Sequence, residues 1–346
     1  MNPYASTIIT VSLIMGPLLT ISSNHWILAW TGLEISTLSI IPLIAKQHHP
    51  RAIEAAIKYF LTQATASMLI LLSSITNAWT LGQWSITQMS NNISCTILTT
   101  ALAIKLGLAP FHFWLPEVLQ GATTTTALIL TTWQKLAPMS LLMMTAQSMN
   151  TSLMLTLGLM SAAIGGWGGL NQTQLRKIMA FSSIAHLGWM VTILTLSPKL
   201  TLLTFYTYIT MTSTMFLMIK LLETNKISTM MTSWTKLPML NAMMMLTLMS
   251  LAGLPPLTGF MPKWLIMQEL TKQHMPIIAT TMALLSLLNL FFYLRISYYS
   301  TITLPPNSTN YPQQWRHKTN QKRYLAPMTA LATSMLPITP TLLTIT

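Results

Sequence analysis

Residues 250–264 read SLAGLPPLTGFMPKW. They lie inside an apolar run over 238–272, yet they hold Gly253, Pro255, Pro256, Gly259, Pro262 and Lys263. An apolar run of that length folds as a helix by default. Proline removes a backbone donor and clashes with the preceding turn, so the helix must break here. The break frees backbone amides and carbonyls, which is tolerated at membrane depth only where they are buried in protein or line a wet cavity. A lysine in an apolar medium is also costly without partners. The two costs offset each other when the freed carbonyls, with water, hold the ammonium. A lysine so placed can also exchange its proton, because burial disfavours the charged form of an ammonium. The stretch therefore predicts a discontinuous membrane helix carrying a protonation site.

The whole chain fits that medium. Charged residues make up 7% of 346, against about 25% in soluble domains, and mean hydropathy is +0.54. Apolar stretches of about 20 residues recur, the length that crosses a bilayer core as a helix. The fold class is an all-α polytopic membrane protein. The acids are all glutamate: Glu34, Glu54, Glu117, Glu223 and Glu269. The net charge of +13 comes from basic residues placed singly or in small groups at the ends of apolar runs. That is the membrane-topology pattern and not a nucleic-acid surface, so no nucleic-acid partner is expected. Cys95 is the only cysteine, which excludes an internal disulfide, a Cys-rich metal site and an iron–sulfur cluster. The start, MNPYASTIITVSLIMG, lacks a basic n-region and reads as a retained first helix. Abundant Met and Thr with scarce acids suit a chain made inside a mitochondrion.

About eleven spans fit the sequence: 3–22, 25–44, 54–78, 95–110, 123–146, 151–170, 174–196, 200–222, 238–272 (interrupted), 276–299 and 325–345. Lys46, Arg51, Arg176, Lys177, Lys226, Lys236, Arg316, Lys318, Lys322 and Arg323 fall on connections of one side, while the opposite side holds only Lys199 and Lys272. The positive-inside rule then puts the N-terminus inside and the C-terminus outside. The polar stretch 302–324 is read as an inner-side loop of a single transmembrane domain, 1–346. Gly165, Gly166, Gly168 and Gly169 lack the spacing and strand–turn–helix context of a nucleotide loop, and read as small residues for close helix packing.

An ionisable residue in mid-span is a functional candidate because it needs a partner or water. Glu34 sits in the middle of the second span and is too short to reach the interface. Lys105 precedes a Gly107/Pro110 break, and Lys135 lies near the middle of 123–146. Lys263 follows the break already described. For the lysines, snorkelling along a long stem is the alternative. Glu34 and Lys105 are expected to interact as a pair. His112, in PFHFW, and His186, in FSSIAHLGWM, fit either a buried hydrogen-bonded role or a proton relay. Lysine beside a Gly/Pro break thus occurs at 105–110 and again at 253–263, a pairing that points to inverted-repeat transport architecture. No metal-ligand or nucleophile motif accompanies these residues.

LGLAPFHFWLPEV (106–118), LRKIMAFSSIAHLGWM (175–190) and the opening stretch closely resemble the proton-pumping antiporter-like membrane subunits of respiratory complex I. The resemblance runs the length of the chain. It implies two inverted five-helix repeats, each with a discontinuous helix, and proton translocation along a hydrated axis of Glu34, Lys105, Lys135 and Lys263. It implies membership of the H+-translocating NADH:ubiquinone reductase without redox chemistry in this chain. NADH, FMN, iron–sulfur clusters and ubiquinone would belong to partner subunits. Other membrane-arm subunits and lipids such as cardiolipin would be partners, one of them covering the face left by a shortened N-terminal end. The location implied is the mitochondrial inner membrane, with the N-terminus and the 302–324 loop in the matrix and the C-terminus in the intermembrane space. An Mrp-like cation/proton antiporter subunit and an inert membrane scaffold are the alternatives.

Overall fold

The computed structural model of the chain describes residues 2–47, 49–235, 237–302 and 324–345. The polar loop assigned to 302–324 therefore lies, but for its ends, outside the described residues. Among the described residues the protein is all helical, with only isolated β-bridges at His25–Ser85 and Gln174–Lys226. In chain order the helices are α1 (Pro3–Ser22), α2 (Trp26–Ile44), α3 (Pro50–Leu81), α4 (Asn92–Leu106), α5 (Trp114–Gly121), α6 (Thr124–Thr131), α7 (Leu136–Met144), α8 (Thr151–Gly169), α9 (Leu175–Leu194) and α10 (Pro198–Leu222). They continue as α11 (Ile227–Met231), α12 (Pro238–Ala252), α13 (Phe260–Lys272), α14 (Pro276–Ile302), α15 (Leu325–Ser334) and α16 (Thr339–Ile345). Seven of the described helices, α1, α2, α3, α8, α9, α10 and α14, are long and apolar enough to cross a membrane.

A membrane chain so rich in Ser and Thr must silence its hydroxyls. It does so locally: Ser73 donates to Ile70 O at 2.7 Å, Ser182 to Met179 O at 2.8 Å and Thr207 to Thr204 O at 2.9 Å. Each hydroxyl is satisfied one turn back within its own helix, so it needs no partner elsewhere.

The chain divides into two compact units, residues 1–161 with 194–198, and 162–193 with 199–346. In the first, α1 and α2 meet through glycine: a Cβ at Gly16 would stand 2.8 Å from Gly32 O, and one at Gly32 2.8 Å from Gly16 O. Such backbone approach maximises dispersion between helices where lipid gives no hydrophobic drive. In the second, α9 is the central helix, with 83% of its apolar window buried, against 22% for α1 in the first. The GGWGG run is packing surface there, as read from sequence. Gly165 meets the α9 backbone at Phe181 and Ala185, Gly168 lies under the Phe181 ring and Gly169 under Phe292.

The interruption at 253–259 is present. Gly253 ends α12 at φ +84, in the left-handed region that glycine enters without a Cβ penalty. Gly107 ends α4 in the same way, at φ +76. Three expected spans need correction. The span over 95–110 ends at Leu106 and, after a turn, resumes as the separate α5. The span over 123–146 is not continuous: a 3-10 turn at Trp133–Lys135 separates α6 from α7. Pro138 accounts for it, since it has no N–H for Gln134 O and its ring crowds that carbonyl. The span over 325–345 is α15, a 3-10 turn at Leu336–Ile338 and α16, where Pro337 and Pro340 prevent a continuous ladder.

Candidate functional site

Two small polar cavities collect most of the ionisable residues singled out above. In the first unit a cavity of about 20 Å³ is lined by Lys105, Lys135, Tyr59, Gln63, Gln134 and Trp114, with Ser36 and Thr37 at its α2 wall. About 10–15 Å³ suffices for one water, so roughly one water fits. Lys105 and Lys135 are 6% and 3% exposed, so neither snorkels to the surface. Lys105 stands on the last turn of α4, two residues before the left-handed Gly107, and Lys135 ends the 3-10 turn between α6 and α7. Both lysines therefore occupy helix breaks, where the backbone opens and the ladder stops.

The Lys105 Nζ and Gln63 Nε2 atoms are buried without a hydrogen-bond partner among the described protein atoms. Both are donors. A single water oxygen in the cavity can accept from both, which satisfies them in the way buried polar groups require. The carbonyl of Ile104 accepts from the Gly107 N–H at 3.2 Å and also from the Trp114 indole, whose Nε1 donates to it at 3.1 Å.

Glu34 lies on α2 beside this cavity, half-buried; the Thr37 hydroxyl donates to the Glu34 backbone carbonyl at 3.0 Å and stands 3.4 Å from its Oε2. It interacts electrostatically with Lys105 and with Tyr59. The expected interaction between Glu34 and Lys105 is thus present electrostatically, without an ion-pair contact between them. Ion pairs among the described residues are Lys58 with Glu54 and with Glu117, and Lys272 with Glu269. His112 lies apart from the cavity, in the turn after α4, with its ring 4.2 Å from that of Phe113.

The second unit repeats the arrangement. Lys263 is part-buried on the first turn of α13, and its Nζ donates to Ala252 O at 2.7 Å. Ala252 is the last residue of α12, so the lysine satisfies a carbonyl orphaned by the break and sits at the negative end of that helix. This is the device read from residues 250–264. A cavity of about 20 Å³ adjoins it, lined by Lys263, His186, Trp189, Thr204, Thr207 and Tyr208 among others. Lys263 Nζ lies 6.0 Å from the Trp189 ring centroid, and the rings of His186 and Tyr208 are 5.7 Å apart. Gly259 also lines the cavity, and a Cβ there would collide with Ser250 O.

Sequence reasoning did not name Tyr59, Gln63, Gln134, Thr204, Thr207 or Tyr208. A signal existed. Tyr59 and Gln63 are spaced i, i+4 on α3, and Thr204, Thr207 and Tyr208 are spaced i, i+3, i+4 on α10, so each set shares one helix face. Those faces turn inward: Tyr59 is 2% exposed and Gln63 5%.

Residues 23–289 match the family model described as NADH:quinone oxidoreductase/Mrp antiporter, TM, and residues 290–343 match NADH dehydrogenase subunit 2 C-terminus. The chain is 64% identical over 344 residues to the NADH-ubiquinone oxidoreductase chain 2 of Gallus gallus, covering 99% of each. Its fold is similar to a chain in respiratory complex I from Thermus thermophilus, at TM-score 0.84 and 24% identity, over 96% of this chain and 77% of that one. It is also similar to a chain in the Mrp complex from Dietzia, at TM-score 0.78 and 17% identity, over 99% and 76%. The fold is thus common to oxidoreductase and Mrp assemblies, and the sequence match over the full length separates them.

Proposed function

The chain belongs to the NADH-ubiquinone oxidoreductase chain 2 family, and from that premise we propose that its two polar cavities are the stations through which it moves protons. It is a core membrane subunit of the proton-translocating NADH:ubiquinone oxidoreductase, a multi-pass protein of the mitochondrial inner membrane, and its partners are the other membrane-arm subunits. We assign the translocation to Glu34, Lys105, Lys135 and Lys263, with His186 beside Lys263. His112 takes no part in this assignment. The observation that carries the reading is the placement of all three lysines at helix breaks, each lining a cavity with room for about one water. A lysine amine receives a proton from a water and returns it to one. The half-buried Glu34 carboxyl group lies beside the Lys105 end and interacts with it electrostatically.

The same reading extends to topology. The broken elements pair into about eleven crossings arranged as two inverted repeats within one functional domain, 1–346, with the N-terminus in the matrix and the C-terminus in the intermembrane space. NADH, FMN, iron–sulfur clusters and ubiquinone are assigned to partner subunits, and cardiolipin to the lipid-facing surface. No role in nucleic-acid binding is proposed.

The test is Lys105→Ala and Lys263→Ala in the assembled complex, reconstituted into vesicles. Both should stop proton uptake and quinone-linked turnover while NADH oxidation with an artificial acceptor survives. Normal pumping by both variants would overturn the assignment.

A further inference from the structure

The 3-10 turn that carries Lys135 is held from two sides by its own preceding residues. Trp133 Nε1 donates to Leu13 O of α1 at 2.9 Å. That carbonyl is available for a stated reason. Its helical partner would be the N–H of residue 17, and residue 17 is proline, inside α1. Gln134 Nε2 donates to Ser36 O of α2 at 3.0 Å. Lys135, next in sequence, is 3% exposed and lines the cavity that it shares with Lys105. Pro138 makes the break one turn downstream, so Gln134 O lacks its usual helical donor. Backbone bonds from Lys135 N–H to Thr132 O and from Leu136 N–H to Trp133 O shape the turn, and the two side-chain bonds tie it to α1 and α2.

We propose that Trp133 and Gln134 are positioning residues for proton transfer: they strap the α6–α7 break to α1 and α2 and thereby set where the Lys135 ammonium stands in the cavity. The proposal rests on the reading that Lys135 relays protons. Pro17 is part of it, since it leaves a carbonyl of α1 open to an indole 120 residues away. Proton transfer through one bridging water needs near hydrogen-bond geometry at both ends. A turn freed from one strap samples other positions, and the fraction of time spent in the productive one falls.

The test uses the assembled complex in vesicles, with proton uptake and quinone turnover measured and artificial-acceptor activity as the assembly control. Trp133→Phe keeps the ring and removes the N–H. Gln134→Leu keeps the size and removes the amide. Each should lower the maximal turnover by about five- to tenfold, the worth of one lost hydrogen bond, with the quinone KM unchanged. Pro17→Ala gives Leu13 O a competing helical N–H, weakens the Trp133 strap and should slow turnover, by less than Trp133→Phe does. The double variant Pro17→Ala/Trp133→Phe separates the roles: if Trp133 anchors the turn, it stays as slow as Trp133→Phe. Recovery in the double variant would mean that Trp133 merely satisfies a carbonyl, and would overturn the proposal. So would normal rates in both single variants, or loss of assembly in both. Lys135→Ala is run in parallel. If it pumps normally, the relay reading itself fails. If it stops pumping while the strap variants run normally, this inference alone fails.

Discussion

Replacing Lys263 by arginine keeps a positive charge and removes the ability to lose it. Arginine's guanidinium ordinarily holds its proton at least about two units more tightly than lysine's ammonium, so the neutral guanidine lies at least about 3 kcal/mol further uphill than the neutral amine, on the order of a 10²-fold penalty. The structure adds a second obstacle. Lys263 Nζ stands 2.7 Å from Ala252 O, and the adjoining cavity holds about 20 Å³. The two extra heavy atoms of a guanidinium would fill the space of the single water that a relay needs. Arginine can still donate to Ala252 O and hold the end of α12, so the break and the fold survive. The expected outcome is an assembled complex that oxidises NADH with an artificial acceptor at the normal rate. Quinone-linked turnover and proton uptake should fall about a hundredfold, because that penalty falls on the proton-loss step. The assay is turnover and a pH-sensitive dye in sealed vesicles, with an uncoupler control. Lys263→Arg pumping at the normal rate would refute the argument and leave Lys263 as a fixed charge that staples the break.

Other outcomes follow from the same geometry. Gly253→Ala places a Cβ at φ +84 and 3.0 Å from Lys263 Nζ. It should cost about 1–2 kcal/mol in the left-handed region and lower the temperature of half-inactivation, as read by thermal inactivation of quinone turnover. Gly259→Ala drives a methyl into Ser250 O and should abolish assembly on native gels. Glu34→Gln combined with Lys105→Ala, scored as a double-mutant cycle in turnover, should show a coupling near 1 kcal/mol, well below the 3–5 kcal/mol lost on breaking a buried ion pair. Strict additivity would remove the coupling altogether. An impermeant amine reagent applied to the outer face of mitoplasts should reach Lys199 and Lys272 and spare Lys46. Outer-face labelling of the 302–324 stretch would reverse the proposed orientation.

What was legible in the sequence followed physical necessity. The break at 253–263 could be read because proline and glycine leave a helix no alternative, and the lysine beside it had to go somewhere. Lys105 before Gly107 was legible for the same reason. The break before Lys135 was not read, because its cause sits downstream. Pro138 disrupts the turn that precedes it, and in an unbroken apolar run, 123–146, a single proline near a threonine pair looks tolerable. Gln63 and Tyr59 were missed because an amide and a phenol inside a long helix carry no charge to make their burial conspicuous. The Glu34–Lys105 pair was expected from the cost of isolated charges. The two interact electrostatically without an ion-pair contact, and the half-buried carboxylate keeps part of its exposure, which lowers the cost of standing apart.

Each break solves the same problem with a different donor. At the end of α4 the carbonyl of Ile104 accepts from both the Gly107 N–H and the Trp114 indole, and the Lys105 Nζ makes no backbone bond and faces the cavity. Across the α6–α7 break the donors are Trp133 and Gln134, and they act on other helices. At the end of α12 no such side chain is supplied, and Lys263 itself takes the carbonyl of Ala252. The consequence is chemical. Where tryptophan and glutamine hold the backbone, the fold of the break is independent of whether a lysine is charged. Where lysine holds it, protonation and backbone geometry are tied together: an ammonium at 2.7 Å from a helix C-terminal carbonyl is a stronger donor than a neutral amine, and it is also favoured by the helix dipole. Proton loss at Lys263 must therefore loosen the α12–α13 junction in a way that proton loss at Lys105 does not loosen its own. Under the proposed assignment the two cavities share a chemistry, and the second would also couple that chemistry to the position of a helix end.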